Sequence, residues 1–132
     1  MDFALFLRNH DNNHKQYLTS GTNVTLMSKD RINVDCEFRM YNIFPNVVLA
    51  LGDHKNPYIK NVNRDFYYVE KTIRQENPGG LIQQEIFMHY KNRYRYPKLE
   101  YHRKRFTCLT EFKSWKRTED LWVNIFIHGK IE

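Results

Sequence analysis

Apolar side chains recur at every second position along much of this chain. Ile32, Val34, Cys36, Phe38 and Met40 alternate with more polar neighbours, which is the period of a half-buried strand. Val24 and Leu26 show the same spacing before the polar break Lys29-Asp30-Arg31. The apolar run 47–51 follows a turn at 42–46 that holds Pro45. Segments 58–62 and 66–69 give two more strands around Asn63-Arg64-Asp65, and 121–127 gives a last one closed by Gly129. Two stretches predict helices instead. In residues 2–18, Phe3, Phe6, Leu7, Tyr17 and Leu18 flank a polar middle that frays at Asp11-Asn12-Asn13. After Asn77-Pro78-Gly79-Gly80, the positions of Leu81, Ile82, Ile86, Met88 and Tyr90 suit a helix with Pro78 near its start and Pro97 as its stop. The fold expected is mainly β (α+β). It has an N-terminal helix and a small bent antiparallel barrel of about five strands, because closure removes exposed edges. A C-terminal helix and a basic, β-containing extension follow. Residues 1–132 read as one domain, with the helix and barrel in 1–76 and the extension in 77–132.

Composition changes this picture in two ways. Aromatic residues make up 15% of 132 residues, too many for a disordered chain and enough for a core. No apolar run approaches the ~18 residues of a membrane span, which predicts no membrane partner. The apolar start at 3–7 is broken by Arg8 and lacks a secretory h-region. Cys36 and Cys108 stand far apart with no second pair. They predict a reduced, intracellular chain, nuclear or cytoplasmic and not secreted. The acceptor triplet Asn23-Val24-Thr25 then carries no weight.

The positive charge is concentrated. Residues 91–117 hold Lys91, Arg93, Arg95, Lys98, Arg103, Lys104, Arg105, Lys113, Lys116 and Arg117 against Glu100 and Glu111 alone, a net +8 in a chain of net +6. Tyr94, Tyr96, Tyr101, Phe106, Phe112 and Trp115 interleave them. Cations beside flat rings suit a phosphate backbone with unstacked bases. The same alternation also fits a strand whose aromatics are core and whose cations are a solvated face.

The strand region resembles the Sm and Sm-like family. Val24-Thr25-Leu26, followed by Cys36 to Leu49 through Phe38, Asn42, Phe44 and Asn46, follows the outline of that family's first motif. Residues 68–74 resemble its second motif, with Glu70-Lys71 in place of Arg-Gly. Cys36 stands where the family has a bending Gly, and Asn42 where it has an Asp. The resemblance implies that Phe44 stacks on an RNA base and Asn46 hydrogen-bonds it, with Lys71 and Arg74 nearby. It also implies edge-strand assembly into a ring of identical or related subunits, with uridine-rich RNA in the pore. The basic side chains Lys91, Arg93, Arg95, Arg103, Lys104 and Arg105 would hold phosphates outside it.

Other chemistry is thinly represented. His10-x-x-x-His14 and Glu85-x-x-x-His89 have helical ligand spacing, but nothing nearby completes a tetrahedral set. Glu111-Phe112-Lys113 resembles the end of a metal-dependent nuclease motif, which needs a second acid such as Asp65 or Glu100. The function expected is therefore noncatalytic binding of single-stranded RNA or another nucleic acid, with no cofactor and no metal. The alternatives are a protein–protein adaptor or viral accessory protein, and a small nuclease. Thirteen Asn against two Ala suit an AT-rich coding source.

Overall fold

The structure is a computed structural model that describes residues 2–112 and 117–129. Its strands are β1 (Asp2–Asn9), β2 (Lys15–Tyr17), β3 (Thr22–Met27), β4 (Ile32–Tyr41), β5 (Asn46–Gly52), β6 (Lys60–Asn61), β7 (Phe66–Glu76), β8 (Ile82–Asn92), β9 (Lys104–Phe112) and β10 (Arg117–His128). One sheet runs β2-β1-β4-β8-β7 and the other β3-β10-β9-β5-β6. Neighbours are antiparallel except β3 and β10, which run parallel. Strands from before and after residue 77 share both sheets.

The inner faces of the two sheets meet in one apolar core. Leu5, Val34, Phe38, Met40, Ile86 and Met88 come from the first sheet, and Val24, Leu26, Leu49, Phe106, Val123 and Ile125 from the second. Phe106 lies between Phe66, 5.5 Å away, and Tyr101, 6.1 Å away, measured ring to ring. At the centre, Cys36 of β4 and Cys108 of β9, both fully buried, are joined by a disulfide. The strand orders and the bond between central strands have the topology of a variable-type immunoglobulin sandwich. The topology describes architecture and not activity.

Several expectations are corrected here. No closed barrel forms among the described residues: β3 and β5 lie in one sheet and β4, between them in sequence, in the other. The N-terminal helix is the hairpin β1–β2. Phe3, Leu5 and Leu7 face inward while Phe6 and Arg8 are buried on the opposite face, and burial on both faces blurs the two-residue period. Asn13, at φ 59°, makes the left-handed turn that Asn tolerates. The C-terminal helix is strand β8, in which Ile86 and Met88 face the core. Gly79 and Gly80, at φ 97° and 82°, close the β7–β8 hairpin, so the Pro-Gly-Gly signal marks a turn between strands and not a helix start. The second motif of the resemblance lies within the continuous strand β7.

The reduced-thiol expectation is corrected as well. Separation along the chain says nothing about proximity across a sandwich, and both cysteines occupy inward positions on facing central strands. The bond closes a loop with a sequence separation of 72. In the chain-entropy account it restricts the unfolded ensemble by about 4 kcal/mol at 25 °C. A Cys36→Ala/Cys108→Ala variant is therefore expected to lose about 2–5 kcal/mol of unfolding free energy in guanidinium titrations. A midpoint equal to that of the oxidised wild type would show that the bond does not stabilise the fold.

Candidate functional site

The connection between β8 and β9, residues 93–103, crosses from one sheet to the other at the end of the sandwich where β4 and β7 begin and β5 stops. Backbone bonds hold it at both ends: Arg93 N–H to Asp65 O at 2.7 Å, and Arg103 N–H to Ile125 O at 2.8 Å. Between them, Asn33 Nδ2 donates to Tyr94 O at 2.5 Å and the buried Tyr101 hydroxyl to Asp65 Oδ2 at 2.7 Å. Burial and the neighbouring Asp65 carboxylate push the Tyr101 hydroxyl well above its ordinary pKa. The crossing thus presents Arg93, Arg95 and Arg103 at one end of the molecule, where β9 begins with Lys104 and Arg105. Arg31, Lys60 and Lys98 join them from other segments, and no sequence pattern marks those three as neighbours.

Acidic side chains neutralise part of this group. Arg31 pairs with Asp11 at 3.0 Å. Glu100 pairs with Lys60 and, at 3.2 Å, with Lys98, which also reaches Asp65 at 3.3 Å. The hydrogen bond from Lys60 holds the Glu100 carboxyl below the usual carboxylate range. Burial opposes the charge on Lys98, but bonds to Glu100, Tyr94 and Asp65 outweigh it and raise its pKa. Among the described residues, Arg95 and Arg103, both exposed, and Lys104 make no ion pair. Lys104 borders a cavity of about 250 Å³ shared with Lys60, Glu100 and Gly52. Gly52 has no room for a side chain, since a Cβ would collide with the backbone of Asn56 and Pro57.

The interleaved aromatics serve the cations. Lys98 sits over the Tyr94 ring at 4.8 Å, Arg31 beside Tyr96 at 5.8 Å, and Arg105 over Trp122 at 3.6 Å. Arg105 also has a nitrogen 3.3 Å from His54 Nδ1. Arg93 donates to Phe66 O at 3.2 Å beside Tyr67. Tyr101 and Phe106 are core rings. Among the described residues, the exposed rings Tyr94 and Tyr96 each already engage a cation of this chain, Tyr96 through its hydroxyl, which accepts from Arg31 Nε at 3.2 Å; Trp115 and Lys116 lie outside the described residues.

The remaining sequence-predicted residues lie elsewhere. Phe44, 59% exposed, and Asn46 stand at the opposite end, in and after the β4–β5 connection. Asn46 pairs with Glu111 and Gly52 with Arg105 along β5 and β9, so about 20 Å of strand separates Asn46 from the basic end. Lys71 and Arg74 are on β7, and Lys91 is on the outer face of the first sheet. The structure thus distributes the predicted site over three places. His10 and His14 fall in and after the β1–β2 turn, and Glu85 and His89 on a strand; neither pair has a helical face. Asp65 and Glu100 sit at the end of β9 away from Glu111; Lys113 lies outside the described residues. Among the described residues no group of three His, Cys, Asp or Glu could hold a metal. No helix among them is long and apolar enough to cross a membrane.

A second feature lies on the outer face of the first sheet, where the sequence pointed to Lys71, Lys91 and His89 singly but not to a groove. Ala4, Glu37, His89 and Val69 form one row across β1, β4, β8 and β7, and Arg39, Phe87 and Lys71 the next. They line a groove of about 800 Å³. At the edge of this face Asp35 is fully buried. It accepts bonds from Arg8 Nε at 2.5 Å, His89 Nε2 at 2.7 Å and Asn92 N–H at 2.9 Å. Polar alternation in β4 marks Asp35 as outward, but only the pairing of β1 with β4 shows that Arg8 arrives beside it.

No model of a known protein family and no curated protein sequence matches the chain. The site therefore rests on its own chemistry. Removing the Asp35 carboxylate leaves the Arg8 charge buried and unpaired. Asp35→Ala is expected to cost about 3–5 kcal/mol in denaturant melts, and Arg8→Met/Asp35→Leu much less. Equal losses in the single and double variants would show that the pair carries no mutual compensation.

Proposed function

We propose that this chain is a noncatalytic binding module that holds an extended acidic polymer, single-stranded nucleic acid among them, by its charge at the basic end of the sandwich. The carrying observation is that Arg95, Arg103 and Lys104, none of them ion-paired among the described residues, lie at the same end of the sandwich as cations that the local carboxylates only partly neutralise. Fixed cations along a surface displace the counterions condensed on a polyanion, which makes the binding salt-dependent. The engagement of Tyr94, Tyr96 and Trp122 by cations of this chain favours recognition of phosphate or sulfate over stacking on bases. The Cys36–Cys108 bond adds a preference for an oxidising compartment, where such bonds persist.

A second reading, protein recognition, is favoured by the groove over β1, β4, β8 and β7. Its floor mixes Phe87, Val69 and Ala4 with Lys71, which makes no ion pair among the described residues. That mixture of apolar floor and polar rim is the anatomy of a protein interface.

The first reading is tested by a salt series with labelled single-stranded RNA, duplex DNA and heparin. Arg95→Gln/Arg103→Gln/Lys104→Gln is expected to weaken all three and to flatten the salt slope on the single strand by about two units. Glu100→Gln is expected to release Lys60, leave Lys98 paired with Asp65 alone, and tighten binding. Unchanged affinity and slope in the triple variant would make the cluster a solubilising face. A strong preference for RNA abolished by Phe44→Ala would move recognition to the opposite end.

A further inference from the structure

We propose that two copies of this chain pair edge to edge through β7, antiparallel about a two-fold axis at Thr72, joining two five-stranded sheets into one of ten strands. The inference is independent of the basic end. β7 is the last strand of its sheet and runs for 11 residues, Phe66–Glu76. β6, the last strand of the facing sheet, has only two residues. Past Phe66 the inner-facing side chains Tyr68, Glu70, Thr72 and Arg74 are accordingly all exposed. A long uncovered edge of this kind presents a row of unused backbone donors and acceptors.

Which backbone groups are unused follows from the register. β7 and β8 pair without interruption from Phe66 opposite Asn92 to Glu76 opposite Ile82. Beyond the two ends of that ladder, Arg93 N–H donates to Asp65 O at 2.7 Å and Asn77 N–H to Leu81 O at 2.7 Å. Hydrogen-bonded pairs alternate with non-bonded ones in an antiparallel ladder. The odd-numbered residues of β7 therefore turn their N–H and C=O toward β8, and the even-numbered ones turn theirs to the open edge. Phe66 O agrees, being free to accept from Arg93 Nε. A second copy must then bond even-numbered residues to even-numbered residues.

Charge and overlap together select one register: axes at Val69 and Gln75 oppose no like charges but pair only seven and three residues of β7, against nine for an axis at Thr72. An axis at Glu70 sets Glu70 against itself, an axis at Lys71 sets Lys71 against itself, and an axis at Arg74 does the same for Arg74. An axis at Ile73 sets Glu70 against Glu76. An axis at Thr72 sets Glu70 against Arg74 twice, Thr72 against Thr72, Lys71 against Ile73 and Val69 against Gln75, with no like charges opposed. Cross-strand opposite charges stabilise a pair and like charges directly opposite destabilise it. Arg74 makes no ion pair among the described residues. The pairing satisfies the exposed even-numbered groups with roughly ten backbone hydrogen bonds. The same charges disfavour the registers centred on Glu70, Lys71, Ile73 and Arg74, which narrows the pairings this edge accepts.

The test is the mass of the full chain in solution by light scattering at tens of micromolar, at low salt. Wild type is expected to be a dimer. Arg74→Glu and Glu70→Arg are each expected to weaken association at least tenfold, and Glu70→Arg/Arg74→Glu to restore it. Thr72→Pro removes an N–H that points away from β8, a position where an edge strand tolerates Pro. It is expected to give a monomer with an unchanged thermal midpoint. A monomeric wild type overturns the proposal, as does a dimer indifferent to the single charge reversals or a double variant that stays monomeric.

Discussion

Cys36 and Cys108 meet at the centre of the molecule, and the inward orientation of these two side chains dictates the rest of the arrangement. A strand has two faces and a period of two. Once Cys36 points at β9, Val34, Phe38 and Met40 must face the core, and Asp35, Glu37 and Arg39 must face away. The ladder then carries this parity outward: Leu5 opposite Cys36 on β1, and Tyr90 opposite Cys36 on β8. Cys108 does the same for β9, putting Phe106 inside with Leu49 of β5 opposite the cysteine. A slip of one residue in either strand would bury Asp35 or Thr107 against the opposite sheet and expel the sulfur.

The outer surface inherits its features from that parity. Asp35 is turned away from the core, yet it is as buried as the cysteine beside it because Arg8, His89 and Phe6 close over it. An ionised carboxylate with that little solvent needs its partners, and it has a guanidinium, an imidazole and a backbone N–H. This cluster ties β1, β4 and β8 together beside the groove. The second outer face is treated differently: Arg105 is stacked on Trp122, and the Tyr58 hydroxyl reaches Asp120 at 3.4 Å. Connections between strands add to the charge that the strands carry at each end. The 93–103 crossing brings its cations to one end, while the β4–β5 and β7–β8 connections carry exposed Phe44 and Leu81 to the other.

The quarter of the chain from 22 to 52 was legible because the apolar side chains of β3 and β4 fall on alternate positions and those of β5 form an unbroken apolar run, and both patterns survive in the sequence. β1 and β8 were misread for a local reason. In β1, Phe6 and Arg8 are buried on the outer side as well as Leu5 on the inner side, so a two-residue period is masked. In β8, Glu85, His89 and Lys91 face the groove or its neighbours and the apolar positions also fit a helical stripe. A Pro-Gly-Gly turn is compatible with either reading until β7 is seen to return beside β8.

The chain by itself determined a β-rich core, a concentration of cations between residues 91 and 117, and the exposed turn at Phe44, because each is a property of neighbours in sequence. Tertiary structure alone decided that Cys36 finds Cys108, that Arg8 finds Asp35, and that Arg31, Lys60 and Lys98 join Arg95, Arg103 and Lys104. It also separated Phe44 and Asn46 from that basic end. Those relations depend on which strands share a sheet and on the parity of each register, and a sandwich built from distant segments sets both through packing across the chain.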